Sequence, residues 1–129
     1  MDNVSSIRFD FEIIRKPKKQ SKNIFEFAAR LYIKYNDEMF LKIEEVCIVD
    51  LIYKLSLYNS NLIVYEFVQM DSEDRVLIFK NIDSDNVELT SEWTNNKIVV
   101  KQNEILRSIE LLKSNFEKSL KVKIDKYYK

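Results

Sequence analysis

The chain has 129 residues, enough for one domain around a single core, and 46% of them are hydrophobic. Its 21 basic and 21 acidic side chains cancel, so no global field attracts it to nucleic acid or to a membrane. It contains no histidine and no glycine, which excludes histidine-based catalysis, Walker loops and dinucleotide fingerprints. We therefore expect a single domain over residues 1–129, with no enzymatic activity, no cofactor and no metal site.

Two alternating segments open the chain. In "SIRFDFEII" (residues 6–14) and "IFEFAARLYIKY" (residues 24–35), apolar residues alternate with polar ones, which predicts two half-buried strands. The basic segment between them, "RKPKKQSK", predicts a solvated loop. "NDE" then predicts a turn into a short strand, "MFLKI".

Helical spacing appears next, within residues 44–60, where apolar residues fall at i, i+3, i+4 and i+7. We expect Glu44 and Glu45 near the start of this helix, where its dipole favours acids, and a left-handed asparagine from residues 59–61 at its end. The residues that define its buried face are Ile48, Leu51, Ile52 and Leu55.

Three further strands are predicted in "LIVYEFVQM", "RVLIFKNI" and "NVELTSEW", separated by the polar connections "DSED" and "DSD". A second helix is predicted over residues 104–121, followed by a frayed tail over residues 122–129. The order β-β-β-α-β-β-β-α predicts an α+β fold: a mostly antiparallel sheet of about six strands, packed on one face by two helices. The apolar face of the second helix comprises Ile105, Ile109, Leu112, Phe116 and Leu120.

The signals for localisation are simple. Residues 1–14 lack the apolar core of a signal peptide, and no apolar run approaches the roughly 18 residues of a membrane span. One cysteine, Cys47, allows no intramolecular disulfide. We expect a cytoplasmic protein in which Cys47 is a small, reduced core residue.

Charge is distributed unevenly along the chain. Residues 1–35 carry a net charge of +4, residues 36–92 a net charge of −9, and residues 93–129 a net charge of +5. The acidic middle is either a solvated surface that maintains solubility or a surface that faces a basic protein partner. On the second interpretation, the candidate partner-binding residues are Asp71, Glu73, Asp74, Asp83, Asp85, Glu88 and Glu92.

Trp93, the only tryptophan, ends this acidic region in "DSDNVELTSEW". Alternation places it on one strand face with Val87, Leu89 and Ser91, so we expect it to be buried under a helix. Glu88 and Glu92 would then point outward, where a partner could reach them.

Other binding chemistries fit the sequence less well. "DSED" and "DSD" lack the central glycine and final glutamate of an EF-hand loop. "RKPKK" could contact a phosphate backbone, but Phe9, Phe11 and Phe25 alternate with polar residues as core residues do, which argues against nucleic-acid binding. Glutamates interrupt the basic face of the second helix, which argues against a membrane-surface role.

The layout resembles that of small α+β immunity proteins of polymorphic or contact-dependent bacterial toxin systems. The resemblance lies in the strand pair "EFAARLYIKYNDEMFLKIEE", the helix and hairpins that end near "SEW", and the closing helix. It implies a protein that binds and neutralises a cognate toxin, such as a basic, nuclease-like domain whose substrate an acidic patch would mimic. The alternative is a small structural or regulatory module, of phage type, that acts as a homo-oligomer.

Overall fold

The computed structural model describes residues 7–18, 23–59, 61–68 and 73–124, and shows an α+β fold. The predicted class and the order of strands and helices are confirmed, with one strand more than the six expected. The elements are β1 Ile7–Arg15, β2 Ala28–Tyr35, β3 Glu38–Cys47, α1 Ile48–Ser56, β4 Val64–Val68, β5 Arg75–Asn81, β6 Asn86–Ser91, β7 Thr94–Lys101 and α2 Gln102–Leu120.

The strands form two antiparallel sheets, which the sequence pattern did not separate. β1, β2 and β3 make a three-stranded sheet in that order, and β4, β5, β6 and β7 make a four-stranded sheet in that order. Each sheet is therefore a meander in which neighbours in sequence are neighbours in space. The additional strand, β7, extends the segment "KIVV" back to Thr94.

Both helices contribute to one hydrophobic core. The helix α2 contacts β1 and β7, and α1 contacts β3, β4 and α2, so the helices join the two sheets. Phe116 of α2 makes edge-to-face contacts with Phe11 and Phe27, at ring-centroid distances of 5.9 and 5.5 Å. The predicted apolar face of α2 is confirmed. Ile105, Ile109, Leu112 and Phe116 are buried, and Leu120 is partly buried against the same core.

Three local predictions were wrong. Residues Ile24–Glu26 form a 3-10 turn rather than the start of β2, which buries Ile24 and leaves Phe25 half-exposed. Glu44 and Glu45 lie in β3, which continues to Cys47, the residue immediately before α1, so neither glutamate is at the start of the helix. The helix ends at Ser56 with a right-handed C-cap, and the described residues of the asparagine segment, Asn59 and Asn61, have no positive φ.

Left-handed backbone occurs instead at the β2–β3 hairpin. Asn36 and Asp37 have φ values of 53° and 67°, and Tyr35 pairs with Glu38 across them. This is the two-residue turn whose geometry matches strand twist and for which Asn-Gly is preferred. A chain without glycine builds it from asparagine and aspartate, which tolerate this region best among the other residues.

The first part of the predicted frayed tail is packed. Ile124 is buried, and its backbone N–H donates to Oε2 of Glu117 at 2.8 Å. Lys121 ends α2 in a left-handed conformation, which turns the chain back onto the helix. The remainder of the tail, residues 125–129, lies outside the described residues.

Within the described part of the chain, neither helix combines the length and the hydrophobicity that a membrane crossing requires.

Candidate protein-binding surface

The meander of the four-stranded sheet divides the predicted acidic residues between its two ends. The β4–β5 connection and the β6–β7 turn lie at one end, and the β5–β6 turn lies at the other. β6, with six residues, separates these ends by about 20 Å at roughly 3.3 Å per residue. Glu73, Asp74 and Glu92 therefore lie near one another, whereas Asp83 and Asp85 lie at the opposite end. Asp71 falls outside the described residues.

Trp93 lies at the first of these ends, and its predicted burial was wrong. The chain turns at Glu92 and Trp93, so the strand alternation stops at Ser91, which is buried. The side chain of Trp93 is 42% exposed. Its indole Nε1–H donates to Oδ2 of Asp74 at 3.0 Å, and its backbone N–H donates to Oγ of Ser91 at 2.9 Å. The indole is therefore oriented by hydrogen bonds while much of its surface stays in water.

Arg75 organises the carboxylates beside Trp93. Its Nε and Nη2 donate to Oε2 of Glu92 at 2.9 and 2.7 Å, and its backbone N–H donates to Oε1 of the same residue at 2.8 Å. Its Nη1 donates to Oε2 of Glu66 at 3.2 Å. The backbone N–H and then the guanidinium of Arg75 lower the pKa of Glu92 below its usual value. The guanidinium thus holds both carboxylates in place, and its bonds to Glu92 keep that carboxylate ionised at neutral pH.

We call this end of the sheet the Trp93 tip and define it as Glu66, Glu73, Asp74, Arg75, Glu92 and Trp93. It carries four carboxylates and one guanidinium, a net charge of −3. The Glu73 side chain makes no ion pair or hydrogen bond with another described residue. An aromatic ring inside an acidic rim can bind a cationic side chain, by its π face and by its neighbouring charges together.

The remaining acidic candidates mostly stabilise local structure. Oδ1 of Asp83 accepts from the backbone N–H groups of Asp85 and Asn86, at 2.8 and 2.9 Å, and from the side-chain amide of Asn86. These bonds close the β5–β6 turn. They also lower the pKa of Asp83, and the bond from the Asn86 side chain has the largest effect. Glu88 lies in the middle of β6, and its Oε2 is 3.7 Å from Nζ of Lys97 on β7. Neither residue belongs to the Trp93 tip.

Sequence reasoning missed Arg75, the residue that arranges the tip. Its pattern signal was weak, because a single arginine at the start of a strand is common and its partners lie 9 and 17 residues away in sequence. The signal for an exposed Trp93 was the polar segment that follows it, "TNN". That segment together with "SEW" could have been read as a tight hairpin rather than as the end of a strand.

Two of the three phenylalanines near the basic segment at the start of the chain are core residues. Phe9 is buried and Phe11 packs against Phe116, as the core interpretation predicts. The interpretation was wrong for Phe25, which is 36% exposed and lies beside Arg15, Lys16 and Lys18. Arg15 is paired with Glu45 at 2.8 Å. The described residues contain no group of three or more histidine, cysteine, aspartate or glutamate side chains that could hold a metal ion.

The chain belongs to a protein family defined by a domain of unknown function, DUF7878, whose model matches residues 6–122. No curated protein and no solved structure matches the chain.

Proposed function

We propose that this chain is a non-enzymatic protein-binding module, an immunity-type protein that binds and neutralises a cognate bacterial toxin through the Trp93 tip. The half-exposed, hydrogen-bonded indole of Trp93 is the observation that carries the proposal. We place its action in the cytoplasm, in line with a sequence whose one cysteine cannot form an intramolecular disulfide.

An exposed tryptophan suits an interface because it buries a large area while losing little side-chain freedom. In this chain Asp74 and Ser91 already orient Trp93 in the free protein, so part of the side-chain entropy is lost before any partner binds. Preorganisation of this kind raises affinity by lowering the entropy lost on binding.

The charges around Trp93 select the partner's chemistry. The net charge of −3 on the tip favours a basic surface and would accelerate encounter with it at low salt. Nuclease active sites are basic because they bind phosphate, so an acidic tip could occupy such a site in place of the substrate. The Arg75 guanidinium supports this role by fixing the Glu66 and Glu92 carboxylates at defined positions.

A solvated acidic surface would show the same net charge, and the arrangement of the acids distinguishes the two interpretations. If the acids only maintain solubility, a charge reversal should have the same effect at either end of the sheet. If the acids bind a partner, only a charge reversal at the Trp93 tip should weaken binding. Glu73 and Asp85 allow this comparison, because both are exposed and neither side chain bonds to another described residue.

Growth protection tests the proposal. We screen the genes beside that of this chain for a product that arrests growth, and co-express that product with the chain as wild type, as Trp93→Ala, as Glu73→Lys and as Asp85→Lys. We expect wild type and Asp85→Lys to restore growth, and Trp93→Ala and Glu73→Lys to fail although both accumulate as folded protein. Absence of protection by wild type, or equal protection by all four chains, would overturn the proposal.

A further inference from the structure

Among the residues that the structure describes, the four-stranded sheet has an open edge at β4. No described strand other than β5 pairs with β4. The backbone N–H of Asn81 donates to the carbonyl of Ile63 at 2.9 Å, which fixes the alternation of the ladder. Ile63, Tyr65 and Phe67 therefore direct their backbone groups toward β5, whereas Val64 and Glu66 direct theirs away from the sheet.

The open part of this edge is short and has a defined end. Nζ of Lys54 donates to the carbonyl of Val68 at 3.3 Å, and the register shifts between Phe67 and Val68. Both features limit strand addition at that end, as bulges and lysines do on other exposed edges. At the other edge of the sheet, the Tyr35 hydroxyl donates to the carbonyl of Val99 at 3.2 Å, so β7 is partly covered by the first sheet. Residues 64–67 of β4, together with Ile63 before them, are left for pairing.

Apolar side chains surround the open section. Ile63 is 77% exposed and Ile82 is 52% exposed, and the Ile63–Asn81 hydrogen bond brings these two parts of the chain together. Val64, the first residue of β4, is half-exposed. We call Ile63, Val64 and Ile82 the β4 corner. Three exposed aliphatic side chains beside unpaired strand backbone form a combined apolar and hydrogen-bonding surface.

We propose that the β4 edge pairs antiparallel with the β4 edge of a second copy of this chain, across a two-fold axis at Tyr65. Val64 of one copy then lies opposite Glu66 of the other, and each outward N–H meets an outward carbonyl. This register pairs valine with glutamate and so avoids a contact between two like charges. The two sheets would join into one sheet of eight strands.

Charge favours a second copy over a basic peptide at this edge. Glu66 is the only acidic residue among residues 63–67, and its Oε2 already pairs with Nη1 of Arg75 at 3.2 Å. The antiparallel arrangement also places the two Trp93 tips at opposite ends of the pair, where their negative charges are far apart. Glu66 is the one tip residue inside the paired section, so pairing at β4 leaves the other five residues of each tip outside the strand contact.

Sedimentation of the purified chain over a range of concentrations tests the pairing. Because a five-residue strand pair with its flanking side chains falls below the size of standard interfaces, we expect a dissociation constant on the order of 100 μM. We expect Val64→Pro, which removes an outward N–H, to weaken the dimer at least tenfold. Val64→Ala, which keeps that N–H, serves as the matched control and should stay within about threefold of wild type.

A second variant tests the same edge independently, in case Val64→Pro does not fold. Ile63→Lys introduces a charge at the most exposed position of the β4 corner and leaves the ladder to β5 unchanged. We expect it to sediment as a folded monomer at every concentration. A monomeric wild type at about 1 mM, ten times the expected dissociation constant, would overturn the inference. A dimer of unchanged affinity in both Val64→Pro and Ile63→Lys would also overturn it.

Discussion

The indole N–H of Trp93 donates to the Asp74 carboxylate at 3.0 Å, across a gap of 19 residues in sequence. This bond links the β6–β7 turn to the connection before β5, so two loops of the same sheet end hold one another in place. It also places a negative charge beside the exposed ring. The Trp93 tip thus combines an oriented aromatic surface with an acidic rim, and both properties can be measured separately.

The stability of the domain should depend little on Trp93. Because the side chain is 42% exposed, we expect Trp93→Ala to lower the free energy of unfolding by less than about 1 kcal/mol, as surface substitutions do. Leu89→Ala, at a fully buried position of β6, should lower the free energy of unfolding by about 2–5 kcal/mol. Urea denaturation measures both. A loss for Trp93→Ala as large as that for Leu89→Ala would show that the indole is in the core.

The acidic rim should be visible in the fluorescence of Trp93, the only tryptophan in the chain. We expect caesium cations to quench this fluorescence more efficiently than iodide, each relative to free indole, because the rim concentrates cations. The difference should shrink in about 1 M salt, where the Debye length is about 3 Å, and in the Asp74→Asn variant. Equal or stronger quenching by iodide would contradict a negatively charged rim.

Glu92 should make the stability depend on pH in the acidic range. Arg75 lowers the pKa of Glu92 in the folded state, first through its backbone N–H and then through its guanidinium. The resulting stabilisation is present above the usual glutamate pKa of 4.5 and is lost as the pH falls through the lower folded value. We expect Glu92→Gln to flatten the stability profile below pH 4.5. Arg75→Gln, which keeps the backbone N–H, should flatten it only in part. An unchanged profile in Glu92→Gln would contradict this assignment.

Tyr65 should produce the opposite dependence at alkaline pH. Burial, with a smaller contribution from the Asp50 carboxylate, raises the pKa of Tyr65 to about 12. Its hydroxyl donates to the carbonyl of Lys54 in α1, so ionisation also removes that bond. The stabilisation is complete below the usual tyrosine pKa of 10 and is lost as the pH rises toward 12. We expect Tyr65→Phe to be less stable than wild type at neutral pH and to lose less stability between pH 10 and pH 12. Guanidinium denaturation at a series of pH values measures both effects, and parallel profiles would contradict them.

The β2–β3 hairpin should accept the glycine that the chain lacks. Asp37 has a φ of 67°, a region that costs a residue with a Cβ more than it costs glycine. We expect Asp37→Gly to raise the free energy of unfolding by about 0.5–1 kcal/mol, and Asp37→Ala to lower it. The ion pair with Arg8 contributes little, since its 3.6 Å contact involves an Asp37 side chain that is 88% exposed. Thermal unfolding distinguishes the two variants. A destabilising Asp37→Gly would show that the aspartate side chain, and not the backbone, determines the turn.

Much of the fold follows from periodicity. Phe9, Leu31 and Leu89 are buried where strand alternation places them, and Ile105 and Phe116 where helical spacing places them. Periodicity does not report strand pairing between distant segments, so it could not divide the strands into two sheets. It also failed where a single turn interrupts an alternating run, at Ile24–Glu26 and at Glu92 and Trp93.

The candidate site was harder to predict because it depends on those turns. Glu73, Asp74 and Glu92 could be chosen from their charge and loop position alone, but nothing in the sequence separates them from Asp83 and Asp85. The separation comes from an antiparallel meander, which sends alternate loops to opposite ends of the sheet. The exposure of Trp93 depends on the same turn, so burial was the wrong inference from a correct strand pattern.

Paired capture of a toxin domain, identified as the growth-arresting product of a neighbouring gene, tests the central claim most directly. Wild type, Glu73→Lys and Asp85→Lys are immobilised at equal density, and the bound toxin domain is quantified over a series of salt concentrations. If the Trp93 tip is the interface, Glu73→Lys should reduce affinity at least tenfold, Asp85→Lys should match wild type, and raised salt should release the partner. Equal affinity for all three chains at every salt concentration would contradict an interface at the Trp93 tip.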